Sequence, residues 1–219
     1  MNIRKYPLIN NNIYHILNKS IEGFIIYNRD FDYHRMLDII KYYQYAETPI
    51  KYSRLIQLTS SEKSEIWDYL IRKNNKIIDI ISFCIMPTHY HLSLIQLQDN
   101  GISTFVSQIQ NSYARYFNTK YDRKGPLWQG YFKNVLVETD AQLLHLSRYH
   151  HLNAVSAGLV ENPCEWEFSS YREYIGKKRI QFCNYKNLLN INPVTYRKFV
   201  ENRIDYQRAL TKIKKIILE

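Results

Sequence analysis

The stretch from Ile77 to Ile95 constrains this chain more than any other. Ile77-Ile78-Asp79-Ile80-Ile81-Ser82-Phe83-Cys84-Ile85-Met86 is a near-continuous apolar run, which reads as a buried central strand. Pro87-Thr88 makes a tight turn. His89-Tyr90-His91-Leu92-Ser93-Leu94-Ile95 then returns as a second strand, so the two form a hairpin. Ile13–Asn18 is a further strand candidate, rich in β-branched and aromatic residues, and Tyr131–Val137 is another. Between them the spacing predicts helices. Asn28 or Asp30 caps one that runs to about Tyr45, and Ser60 or Ser61 caps a second over 62–72. Ser103 caps a third, running to about Asn118, with Phe105, Val106, Ile109, Tyr113 and Phe117 on its apolar face. Thr139 or Asp140 caps a fourth that ends near Asn153. Strand–helix–strand–strand–helix–strand is the order of a ferredoxin-like sheet. The expected fold is therefore α+β, an antiparallel sheet with helices on one face. Residues 46–58 carry no readable pattern.

Composition narrows the class. The 219 residues are 45% hydrophobic and 23% charged, the balance of a soluble globular protein. No run approaches the ~18 apolar residues of a membrane span, and the N-terminus lacks the apolar core of a secretory signal. Three widely spaced cysteines exclude a disulfide framework and a CxxC zinc site, and they suit a reducing cytoplasm. The formal charge is +10, and residues 177–219 hold most of that excess. The expected division is a nearly neutral body, 1–176, and a basic helical extension, 177–219. In the extension Pro193 starts a helix followed by Tyr196, Phe199, Val200, Ile204, Ile213, Ile216 and Ile217. Three uses stay open for it: DNA backbone, a membrane surface, or a cover for the core. Aromatic residues reach 15%, with 20 tyrosines. That richness offers stacking surfaces for bases, or it reflects an AT-rich genome.

Several residues could carry chemistry. His89 and His91 are two apart on a strand, so both imidazoles point to one face and Tyr90 to the other. They are half of a metal site, or two half-exposed histidines that bind nothing. Tyr149 and Asn153 are four apart on a helix and share a face. Asn supplies an oxygen ligand. Tyr supplies a phenol that needs a cation or base to act as a nucleophile. His150 and His151 beside it read as surface or packing residues. The loop Lys120–Lys133 interleaves cations with rings, the mixture that tracks a phosphate backbone and stacks unpaired bases. It is equally a solvated loop with a buried Trp128.

The combination resembles a known family. Met86-Pro87-Thr88-His89-Tyr90-His91-Leu92 resembles the M-P-N-H-x-H-L signature of single-tyrosine HUH transposases. Gly125-Pro126-Leu127-Trp128-Gln129-Gly130-Tyr131-Phe132-Lys133 resembles their G-P-L-W-Q-x-R-F-K segment. Arg148-Tyr149-His150-His151-Leu152-Asn153 resembles their R-Y-I-x-x-N-P helix, and Trp166-Glu167-Phe168-Ser169-Ser170-Tyr171 their W-x-x-S-S-Y. Tyr14-His15 looks like the opening Y-H strand. Order and spacing agree over roughly residues 13–175, and the REP-associated tyrosine transposases are the nearest branch.

The resemblance implies a ferredoxin-like domain that cuts and rejoins single-stranded or hairpin DNA. It implies Tyr149 as the nucleophile, with His89, His91 and Asn153 holding a divalent metal, Mg or Mn. It implies DNA contacts from Arg115, Lys120, Arg123, Lys124, Trp128, Lys133 and Arg148. Departures are Thr88 for Asn, Tyr131 for Arg, Ala154 for Pro, and Lys19 where an Arg often follows the opening strand. Homodimer and monomer are both open, and no membrane partner is expected. Two rival readings are a domesticated nucleic-acid-binding regulator that does not cut, and a hydrolase of small phosphoesters.

Overall fold

The computed structural model describes residues 7–178 and 182–209. Among these, strands β1 (Ile13–Lys19), β2 (Ile78–Met86), β3 (His89–Gln96) and β4 (Lys133–Val137) form one sheet. The helices are α1 (Asp30–Tyr43), α2 (Tyr52–Leu55), α3 (Ser60–Lys73), α4 (Gly101–Lys120), α5 (Asp140–Ser156), α6 (Tyr171–Tyr174) and α7 (Pro193–Glu201). The sheet order is β2-β3-β1-β4, and every neighbouring pair is antiparallel. With α1 and α4 as the crossovers, this is the ferredoxin-like arrangement.

The two faces of the sheet have different work. Tyr14, Ile16, Tyr90, Leu92 and Leu94 point to the face covered by α1 and α4, and all are fully buried. The α4 side is tied down by Gln110 Nε2, which donates to the Tyr90 hydroxyl at 2.7 Å. Tyr113 of α4 donates to the Ile26 carbonyl at 2.6 Å. Most of the 20 tyrosines are core residues of this kind, which removes them as exposed platforms. The other face carries α5. It is reached through a slip in the β2–β3 register between Ile80 and Ser82. One extra residue there turns Ser82, Cys84 and Met86 toward α5. Cys84, Met86 and Ala154 then pack together beneath Val160 and Trp166.

Local chemistry explains where the elements begin. α4 starts at Gly101, earlier than Ser103, because a side chain at this position would collide with the Ile77 carbonyl. Asn100, at φ 59°, makes the left-handed turn into it. α3 is capped by Thr59, whose hydroxyl accepts from the Glu62 amide at 3.4 Å while Glu62 accepts from the Thr59 amide at 2.8 Å. β4 is shorter than the 131–137 expected from sequence. Gly130 turns the chain at φ 59° and leaves Tyr131 83% exposed before pairing begins at Lys133. Residues 46–58 resolve into a turn followed by α2.

Past residue 176 the chain returns to the body. The amides of Phe182 and Cys183 both donate to the buried Glu173 carboxylate at 3.2 Å. Phe182 stacks on Phe83, with centroids 5.1 Å apart. α7 lays Tyr196 and Val200, both buried, against α5. Ile213, Ile216 and Ile217 lie outside the described residues. No helix among the described residues is long and apolar enough to cross a membrane. The three cysteines are free.

Candidate active site

β3 places His89 and His91 on the α5 face, with ring centroids 4.9 Å apart and edge-on. β1 runs beside it in a register that pairs Leu17 with His91 and His15 with Ser93. His15 and His91 are therefore diagonal neighbours on one face. Their rings stack at 5.2 Å, and His15 Nε2 lies 2.9 Å from His91 Nδ1. α5 crosses above. Thr139 caps it, accepting from the Gln142 amide at 3.1 Å. Its buried side turns His150 down onto the sheet, where His150 Nδ1 meets Ser82 Oγ at 2.9 Å. Tyr149 stands one residue back at the rim, 47% exposed. Its ring centroid is 5.4 Å from that of His91 and 6.2 Å from that of His15. The Tyr149 ring and the His91 imidazole thus meet within one chain.

The electrostatics follow from burial. Desolvation lowers His15 to about 4 and His91 to about 2, the latter helped by the neighbouring His15 and His89. His89 is lowered by burial and then by Lys19. His150 falls well below its ordinary value for the same reason. At neutral pH these imidazoles are uncharged, the state in which they donate lone pairs to a metal. Burial raises the Tyr149 phenol, and the neighbouring Asn153 side chain partly offsets this.

His15, His91 and His150 could hold a metal ion together, since their ligand atoms lie within 4.8 Å of one another. His89 is outside that trio but touches His91. Its Nδ1 sits 3.0 Å from Thr88 Oγ1, so the threonine that departs from the family signature steadies the imidazole. Two buried atoms here have no hydrogen-bond partner, His150 Nε2 and Asn153 Nδ2. Unpartnered polar atoms in a histidine cluster fit a place where a cation and its ligands complete the bonding.

Sequence reading did not single out His15 and His150 as candidate metal ligands. His15 was visible only as half of a Y-H pair, and His150 as packing. The signal that joins His15 to His91 is strand register, which the sequence does not display before pairing is known, and His150 arrives from α5.

The expected DNA contacts are spread out. Trp128 is half-buried: its indole N–H donates to the Gln110 carbonyl at 3.0 Å, and its ring packs on Tyr90 and Tyr113. Lys120 donates to the fully buried Asp32 at 2.6 Å. Arg123 braces its own loop through the Pro126 carbonyl at 2.8 Å and Asn118 Oδ1 at 3.2 Å. Arg148 lies 4.2 Å above the Phe199 ring and 2.8 Å from His145 Nδ1. Lys124 and Lys133 are exposed. Arg115, also exposed, lines a cleft on the α1–α4 face.

The chain is similar in sequence and in fold to known transposases. The family model "Transposase IS200 like" matches residues 48–151. A Haemophilus influenzae protein classed with the REP-associated tyrosine transposases is 27% identical over 104 residues. That alignment covers 42% of this chain, and the chain spans only 58% of the relative's length. Among solved structures, a REP-associated tyrosine transposase bound to a REP hairpin superposes with a TM-score of 0.55. It is 14% identical, over 83% of this chain and 90% of that one, and so it shares the fold. A Deinococcus radiodurans protein classed as a transposase gives a TM-score of 0.37 at 15% identity, over 68% of this chain and 94% of its own.

Proposed function

Because residues 48–151 match the model of the IS200-like transposase family, we propose that this chain nicks and joins single-stranded DNA through Tyr149, on hairpin-bearing ends. One observation carries the reading: the Tyr149 ring lies 5.4 Å from His91, on an element far away in sequence. The solved relative bound to a REP hairpin supports the choice of substrate.

In this reading the Tyr149 oxygen loses its proton and attacks phosphorus. A phosphorus–oxygen bond to the phenol forms, and the bond to the 3′-oxygen breaks. The products are a 5′-phosphotyrosine and a free 3′-hydroxyl, which takes up a proton. The phosphoester is kept, so the ends rejoin without ATP when a 3′-hydroxyl attacks in turn. The Asn153 side chain lies beside the phenol and draws it back toward its ordinary value. A divalent cation, Mg or Mn, would polarise the scissile phosphate and offset its developing charge.

Two donor sets share His91. The trio of His15, His91 and His150 is inward, with His150 fully buried. An ion that touches a phosphate needs open positions toward solvent. His89 stands edge-on to His91, and Asn153 lies beside Tyr149, so we assign the ion to His89, His91 and Asn153. His15 then holds the His91 ring from behind. Exposed Lys124 and Lys133, and Arg148, supply phosphate contacts.

The test is a labelled hairpin oligonucleotide incubated with the protein and Mn. A covalent protein–DNA band is expected from the wild type and none from Tyr149→Phe. His91→Ala should lose the band and keep most of the binding. A band that persists in Tyr149→Phe overturns the nucleophile. Tight binding with no band under any metal favours the non-cutting regulator.

A further inference from the structure

Residues 46–58, unreadable in sequence, build one wall of a cleft of about 680 Å³ on the α1–α4 face. This is the opposite side of the sheet from the histidines. We propose that the cleft binds an unpaired nucleotide of single-stranded DNA, a second grip away from the cutting site. The choice of DNA rests on the function proposed above.

The wall is fixed in place. Tyr42 donates to the Ile50 carbonyl at 2.6 Å, and the Tyr52 amide donates to the Tyr43 hydroxyl at 3.1 Å. The Tyr52 hydroxyl bonds Asp38 at 3.2 Å. The volume lies within the ~300–1,000 Å³ range of small-ligand sites.

The lining selects the occupant. Arg35, Lys51, Arg115 and Lys120 line the cleft, and no Asp or Glu does. Lys120 is balanced by Asp32. Lys51 and Arg115 form no ion pair among the described residues, so their charge is available to a phosphate. Arg35 lies over two tyrosines of the lining, 4.7 Å from the Tyr116 centroid and 5.3 Å from that of Tyr52. Cation and ring surface are thus pre-assembled, and a base can stack against them. Gln108 contributes a buried Oε1 with no partner. An exocyclic amine of a base would satisfy it. Phosphate, ring and amine occur together in a nucleotide, whereas an acidic peptide would use only the cations.

The test is fluorescence anisotropy of the full chain with a short unstructured oligodeoxynucleotide in EDTA, where nothing is cut. The cleft therefore stands or fails separately from the Tyr149 adduct. Arg115→Glu and Lys51→Glu change exposed side chains, and Gln108→Leu keeps the volume. The two charge reversals should each weaken binding about tenfold or more, and Gln108→Leu severalfold. An oligonucleotide carrying iodouracil should crosslink to peptides spanning 43–57 or 108–120. The proposal is overturned by unchanged affinity in all three variants, or by crosslinks confined to the histidine face. Free dTMP binding as tightly as the oligonucleotide overturns the assignment to a DNA strand. An acidic peptide that saturates the cleft and displaces the DNA overturns it as well.

Discussion

Asp32 illustrates how much one side chain can organise. Its carboxylate is fully buried and accepts from Lys120 and the Tyr116 hydroxyl at 2.6 Å each, and from the Tyr121 hydroxyl at 2.8 Å. It also takes the Asn28 and Arg29 amides at 3.1 Å, so it caps α1 from inside the first turn. Burial pushes its carboxyl up, but the bonds from Lys120, Tyr116 and Tyr121 outweigh this and hold it below the usual value. Asp32→Ala should cost ~1–3 kcal/mol in denaturant unfolding, because the Tyr116 and Tyr121 hydroxyls and the two amides before α1 would lose their shared acceptor. Sequence reading placed the cap at Asn28 or Asp30 and saw Lys120 as a DNA contact; the pair spans 88 positions, and no local pattern announces it. The histidines separate in the same way. In Mn titration calorimetry His89→Ala should abolish binding, whereas His15→Ala should weaken it about 10–100-fold, as an outer partner does. Equal losses in both would move the ion into the inner trio.

Elements were read where their periodicity is strong. The 77–95 hairpin, α4 and the Thr139 cap of α5 fall where apolar spacing and capping residues put them, within a few residues. Stereochemistry decides the remaining details, such as the Gly101 start, forced by a carbonyl that only the folded chain brings near. α5 is held from two sides. His151 Nδ1 bonds the Tyr196 hydroxyl at 2.7 Å and His151 Nε2 bonds Ser170 Oγ at 2.8 Å. Ser147 Oγ meets the same Tyr196 hydroxyl at 2.8 Å. Tyr196→Phe should therefore destabilise the protein by ~1–3 kcal/mol, measured by chemical denaturation, since it strands buried groups on α5. A value near zero would mean that α7 contributes packing alone.

At the scale of the whole molecule, the buried imidazoles tie stability to pH. His15 lies at about 4, His91 at about 2 and His151 at about 3, each lowered chiefly by burial. Unfolded histidines titrate near 6.5. Below that value the unfolded chain takes up protons that the folded chain refuses, so stability falls as pH drops from about 6.5 toward these folded values. Each such histidine adds up to ~1.4 kcal/mol per pH unit to the slope. Tm should therefore drop between about pH 7 and pH 5 in metal-free buffer; a flat profile would contradict the burial. Composition had suggested tyrosines for stacking, and the fold spends most of them inside. The charge count could not say where cations stay uncommitted, because Asp32 and the backbone claim several. The meeting of Tyr149 with His91 inside a single chain has a kinetic corollary. If one copy brings the whole reacting set, adduct formation is first order in protein, and dilution slows it only in proportion; a rate that falls with the square of concentration would reveal that two copies must collaborate.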